Sequence, residues 1–326
     1  MKTEIKKRDN GEVEINVTIP NADFIKYWDK GFKAVQDKVE IDGFRKGNAP
    51  EEMIVSKYGE MAILEEMANI AINDTYVKVI IDNKINVIDH PHIHIVKLSK
   101  ADDFVYMAHA PVYPEITLPD YKAIAKGVKK GEEAGASDEE VMKVLEELAK
   151  GRGEGTAIDD AFAQSFGADK FPTLEVLKVK VKENLDLEKS QAGREKHRAT
   201  IIEELVKSVT VELPEVMITG ETERIMSQMK YDVDRMGGKW SDYLTHAGKT
   251  EEDLRVEYKD IAQKRTMSQI LLAEIAKKEN IMPNADEIDV EVIRIMASTP
   301  DAKEDNVKSY VTQMLMNEKV LQMLEA

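Results

Sequence analysis

The spacing of apolar residues changes once along this chain, and that change constrains its fold more than any single motif. Before about residue 112, some stretches alternate apolar and polar in steps of two, and others repeat at three and four. The first period belongs to half-buried strands and the second to amphipathic helices. After Pro114 and Pro119 the two-step period is gone, and from Thr173 to Ala326 almost every stretch reads as helix. The chain is therefore expected to be α+β, with a mixed domain at 1–112 and a mostly helical domain at 173–326. Residues 113–172 lie between them as a linker with a short helical segment.

Local signals fill in this outline. Residues 3–19 read as a hairpin turning at Asp9-Asn10-Gly11, with Val13, Ile15 and Val17 on one face. Asn21 is placed to cap a helix carrying Phe24, Tyr27, Trp28, Phe32 and Val35. The period is lost from about 38 to 50, which reads as a loop. Pro50-Glu51-Glu52 then suits a first helical turn. Residues 60–82 form a longer apolar helix, and 84–98 and 103–113 read as two further strands. Ser137-Asp138-Glu139-Glu140 is a capping box in front of Val141, Val144, Leu145 and Leu148. Gly151, Gly153 and Gly155 mark a break. Helix stops are expected at Pro214, Gly237-Gly238, Gly248, Pro283 and Pro300.

Composition excludes several classes of function. The chain of 326 residues carries 46 basic and 62 acidic side chains, for a net charge of −16. Phosphate binding needs surplus cations, so a general nucleic-acid coat is excluded and no DNA partner is expected. Residues 1–112 hold 15 basic and 19 acidic side chains, so the acidic excess is concentrated beyond them. Cysteine is absent, which removes disulfides, thiol catalysis and Cys-based zinc sites. No run of 18 apolar residues and no secretory signal is evident, so a cytoplasmic protein without a membrane partner is expected. No cofactor is expected.

The most informative stretch is Gly43-Phe44-Arg45-Lys46-Gly47-Asn48-Ala49-Pro50. Gly43 and Gly47 permit tight backbone geometry, and between them stand one large apolar group and two cations. A Phe at a polar loop tip is suited to anchoring a partner, with Arg45 and Lys46 pairing to carboxylates or phosphates. An ordinary surface loop whose Phe folds back onto the domain accounts for the same residues.

Gly-Phe-Arg-x-Gly-x-x-Pro between two helices resembles the signature of bacterial trigger factor, the ribosome-associated chaperone family. The hairpin, the flanking helices and the run Val112-Tyr113-Pro114-Glu115-Ile116-Thr117-Leu118-Pro119-Asp120-Tyr121 resemble that family's N-terminal domain. Ala163-Gln164-Ser165-Phe166-Gly167, with Leu174, Leu177, Val181, Asn184 and Leu185, resembles the opening of its helical domain. Leu213-Pro214-Glu215 resembles the start of one of that domain's arms. Asn48 departs from the family, which often has Lys there. The resemblance implies that Phe44, Arg45 and Lys46, framed by Gly43 and Gly47, dock beside the ribosomal exit tunnel, on a ribosomal protein and nearby rRNA. It also implies unfolded or nascent polypeptides as clients, ATP-independent holding, and a weak homodimer off the ribosome. The family's FKBP-type prolyl isomerase domain, of roughly a hundred residues, has no room between Tyr121 and Ala163. That interval also contains no aromatic residue before Phe162. A non-enzymatic form lacking the isomerase is therefore expected. The alternatives are a reduced isomerase pocket and a helical adaptor between folded proteins.

Methionine adds a second signal. Of 16 methionines, Met226, Met229 and Met236 fall at helical spacing, and Met314, Met316 and Met323 crowd the C-terminus. Flexible, polarizable Met side chains suit a surface that accepts many apolar partners, and they equally suit core filling. Other motifs have simpler readings. His90, His92 and His94 could share a strand face, but Pro91 disturbs the pairing and no metal site is expected. Gly248-Lys249-Thr250 resembles the end of a P-loop, yet Tyr243 stands where its first Gly belongs. Gly151-x-Gly153-x-Gly155 lacks the preceding strand of a dinucleotide site.

Overall fold

A computed structural model describes residues 1–8, 10–131, 135–153, 156–299 and 302–326. Asp9 of the expected hairpin turn, Gly155 of the glycine break and Pro300 as a helix stop lie outside the described residues. The chain forms two compact units, each built from two separate stretches: Met1–Ile116 with Thr210–Met267, and Thr117–Val209 with Ser268–Ala326. No helix among the described residues is long and apolar enough to cross a membrane.

The first unit is built around a four-stranded antiparallel sheet in the order β1-β2-β4-β3. Its strands are β1 (Lys2–Lys7), β2 (Glu12–Ile19), β3 (His92–Lys97) and β4 (Phe104–Pro111). Strict alternation on β2 and β4 places Val13, Ile15, Val17 and Ile19 beside Phe104, Tyr106 and Ala108 on one buried face. Against that face lie α1 (Asn21–Phe24), α2 (Trp28–Lys38), α3 (Glu51–Tyr58) and α4 (Glu60–Asp82). Phe24 stacks on Phe104 with ring centroids 4.6 Å apart. Inside this core the Thr75 and Tyr106 hydroxyls pair at 2.9 Å, so neither buried oxygen is left without a partner. Helix α2 meets α4 at Gly31, where a Cβ would stand 2.5 Å from Met67 Cγ.

Two local expectations are corrected. Asn21 does not cap the first helix with its side chain. Its amide Nδ2 donates to the carbonyls of Lys100 and Asp102, and the Asp103 carboxylate accepts from the Asn21 backbone N–H at 2.8 Å. The strand expected from residue 84 begins only at His92. Lys84 takes a left-handed φ of 52° and Ile85 N–H bonds back to the Ile80 carbonyl, so the chain leaves α4 in a turn. Among the described residues, the bridge Val87↔Val112 is the pairing made before Pro91.

The second stretch of this unit holds α9 (Glu215–Arg235), α10 (Trp240–Ala247) and the first part of α11 (Glu251–Glu279). Trp240 stacks on Tyr243 at 5.2 Å and donates its indole N–H to Glu251 at 2.7 Å.

In the second unit, α5 (Tyr121–Gly127), α6 (Asp138–Lys150), α7 (Asp160–Gln164) and α8 (Leu174–Lys207) come first. The end of α11, α12 (Ala285–Ser298) and α13 (Glu304–Glu325) complete it. The 34 residues of α8 span about 50 Å. Near its start, Leu177 and Val181 join Val141, Leu145, Ala149, Phe162 and Ala163 in a small core, so α6 and α7 pack onto α8 as a module. The capping box at Ser137 and Glu140 forms in full. Further along α8, Arg198 grips Glu318 with two hydrogen bonds, at 2.7 and 2.9 Å, and Glu325 at 2.9 Å, which ties α13 down. Tyr121 donates to Glu279 at 2.6 Å, and this bond pushes its phenol up to about 12. A separate core of Val292, Val307 and Val311 joins α12 to α13.

Candidate functional site

The loop between α2 and α3 is made of two consecutive turns. Phe44 N–H bonds to the Ile41 carbonyl at 3.1 Å, and Asn48 N–H to the Arg45 carbonyl at 3.0 Å. Each turn needs a positive φ at its third residue, and glycine stands there both times: Gly43 at 86° and Gly47 at 84°. Ile41 and Ala49 are buried at 7% and 4% exposure and peg the two ends of the loop into the domain. Residues 42–48 project. Phe44 remains 41% exposed and does not fold back into the core. Arg45 and Lys46 are exposed beside it and make no ion pair among the described residues. Gly43, Phe44, Arg45, Lys46 and Gly47 are thus brought together as one tip. An aromatic ring flanked by two exposed cations can bury the ring against a partner and meet anionic groups at the same contact.

Four residues that sequence reading gave no role support this tip from behind. Gln36 Nε2 on α2 donates to the Ala49 carbonyl at 2.7 Å. Lys33, one turn earlier, donates to the Gly47 carbonyl at 3.3 Å and to Gln36 Oε1 at 3.0 Å. From α3, Lys57 Nζ and the Tyr58 hydroxyl both reach the Glu40 carbonyl at 3.1 Å. Their signal was faint: polar residues on helix faces next to a loop, which read as ordinary solvated positions.

The methionines divide. Met226 is 1% exposed and is a core residue, which removes it as a side chain open to partners. Met229, Met314, Met316 and Met323 are half-buried, and Met236 is 80% exposed at the end of α9. More exposed than most of these are Met282 at 72%, Ile293 at 70% and Val290 at 66%, which sequence reading did not single out. Val290 and Ile293 lie on α12 and Met282 in the stretch just before it.

His92 and His94 lie on one exposed face of β3, while His90 precedes the strand. His92 sits opposite His109 on β4, a pairing that no local pattern announced. Among the described residues, no group of three histidines or carboxylates is placed to hold a metal ion. The Gly248-Lys249-Thr250 stretch is a helix-to-helix joint. Gly248 closes α10 in the left-handed region, and Thr250 Oγ1 accepts from the Asp253 N–H at 3.1 Å to open α11. Bonds from the Thr250 backbone and hydroxyl hold the Asp253 carboxyl below its usual range.

Comparison with known proteins places these features in context. Residues 1–148 match a family described as bacterial trigger factor protein, and residues 173–325 match one described as the trigger factor C-terminus. A trigger factor of Clostridium botulinum (strain Loch Maree / Type A3) is 23% identical over 422 aligned positions, covering 99% of this chain and 98% of that protein. One of Clostridium tetani is 25% identical over 383 positions, covering 88% of each. A solved chain from work on promiscuous substrate recognition in folding and assembly activities of the trigger factor chaperone superposes with a TM-score of 0.59. It is 18% identical, with 100% of this chain and 99% of that one covered.

Proposed function

Because this chain belongs to the bacterial trigger factor family, in a form without that family's FKBP-type isomerase domain, we propose that it docks at the ribosomal exit tunnel and shields nascent or unfolded polypeptides without ATP. Family membership makes it a chaperone. In our reading residues 1–112 dock, residues 113–172 stand in place of the isomerase, and residues 173–326 hold clients in the cytoplasm. The observation that carries the docking role is the loop tip: Phe44 is 41% exposed beside two cations that form no ion pair among the described residues. The ring meets a ribosomal protein, and Arg45 and Lys46 meet its carboxylates or neighbouring rRNA phosphates. Such a contact is modest in affinity and sensitive to salt.

Client holding draws on apolar side chains left in solvent, among them Met236, Met282, Val290 and Ile293. Disordered clients lose entropy on binding, so each contact is weak and exchange is fast.

Co-sedimentation with bacterial ribosomes at low and moderate salt tests the docking reading. The native chain is expected in the ribosomal pellet, and a variant with Phe44, Arg45 and Lys46 changed to Ala is expected in the supernatant. Equal pelleting of both would overturn the assignment of the loop. Suppression of aggregation of an unfolded client without nucleotide, with no acceleration of proline-limited refolding, is the outcome expected of a non-enzymatic chaperone.

A further inference from the structure

We propose that Gln36 is a positioning residue for the docking loop: it holds residues 42–48 in one conformation before any partner arrives. The inference rests on the docking role proposed above.

A loop of two turns leaves carbonyls that no regular ladder satisfies. Here those at its two ends are met by side chains of the flanking helices. The Glu40 carbonyl takes Lys57 Nζ and the Tyr58 hydroxyl, both at 3.1 Å. The Ala49 carbonyl takes Gln36 Nε2 at 2.7 Å. Ala49 is 4% exposed, so water has little access to stand in for the amide. The amide is itself oriented, because Gln36 Oε1 accepts from Lys33 at 3.0 Å and Lys33 is fixed by Asp37 at 2.9 Å. Lys33 also reaches the Gly47 carbonyl at 3.3 Å, so one bracket on α2 holds two carbonyls of the descending limb. A loop ordered in advance avoids part of the entropy otherwise lost on binding.

Gln36 separates positioning from direct contact. It is neutral and half-buried, so it releases no counterion from RNA. Removing its amide therefore lowers affinity without changing the salt slope. Lys33 would not serve, since its charge could act on phosphate directly.

Gln36→Met is the test variant, because it keeps side-chain length and helix propensity while deleting the amide. Two quantities are measured: amide exchange of residues 43–49 in the free protein, and ribosome affinity across a salt series. The expected result is faster exchange in the loop with β2 and β4 unchanged. Ribosome affinity should fall roughly threefold to tenfold, the usual worth of one hydrogen bond, at an unaltered salt slope. Gln36→Ala should do the same. Faster exchange with native affinity, or unchanged exchange, would overturn the proposal. A shallower salt slope would overturn it in favour of direct contact. Failure of the docking reading is distinct: the native chain and the triple alanine variant would then sediment alike, whatever Gln36→Met does.

Discussion

Phe44 keeps 41% of its surface in solvent on a loop whose other apolar residues, Ile41 and Ala49, are at 7% and 4%. The same short stretch therefore buries two apolar side chains and presents a third. Exposed anchors of this kind carry binding energy through the area they bury, while their charged neighbours set rate and salt response. The two contributions separate experimentally. Phe44→Ala should weaken ribosome binding about tenfold with the salt slope unchanged. Arg45→Ala or Lys46→Ala, if each neutralises one phosphate, should each make the slope shallower by roughly one. A binding isotherm at four or five salt concentrations distinguishes the two. This tip was legible in the sequence because glycine at Gly43 and Gly47 fixes turns locally. Its supports at Gln36 and Lys57 were not, since a hydrogen bond from a helix face to a loop carbonyl leaves no periodic trace.

Glu140 shows how an element is secured once its local signal has been read. As the third residue of α6 it accepts from the Ser137 backbone N–H at 2.8 Å, which completes the capping box. It also accepts from Lys189 on α8 at 2.7 Å. The Lys189 ammonium, together with the Ser137 N–H, holds its carboxyl down to about 2 from an ordinary 4.5. A depressed carboxylate contributes stability above its unfolded value and loses it as the pH falls through the folded one. Its contribution is thus full above pH 4.5 and fades toward pH 2. Glu140→Gln keeps an acceptor for the cap and removes the charge. It should unfold more readily than the native chain at neutral pH, and the two should converge near pH 2 in thermal melts followed by circular dichroism. The cap at Ser137 was legible because it involves four consecutive residues. Its partner Lys189 was not, nor was the Asp103 carboxylate that receives the Asn21 N–H, because both lie far away along the chain. The strand expected over 84–91 failed for a related reason. Its apolar pattern was real, but the turn at Lys84 and Ile85 leaves it one bridge, Val87 to Val112, in place of a ladder.

At the scale of the molecule, a net charge of −16 sets the terms for any contact with RNA. The body of such a chain is repelled by phosphate, so contact must be local and made where cations stand free of acidic partners. Among the described residues the loop tip meets that condition, since Arg45 and Lys46 make no ion pair there. The division between a mixed region and a helical one was plain from the period of the sequence. The grouping of Thr210–Met267 with Met1–Ile116 was not, since it depends on contacts between distant stretches. Whether Phe44 meets the ribosome is read by replacing it with a photoreactive phenylalanine analogue. On irradiation with translating ribosomes, a covalent adduct to a protein at the exit tunnel is expected, lost at high salt and lost with Arg45→Ala and Lys46→Ala. Adducts found only with soluble proteins, at any salt concentration, would contradict it.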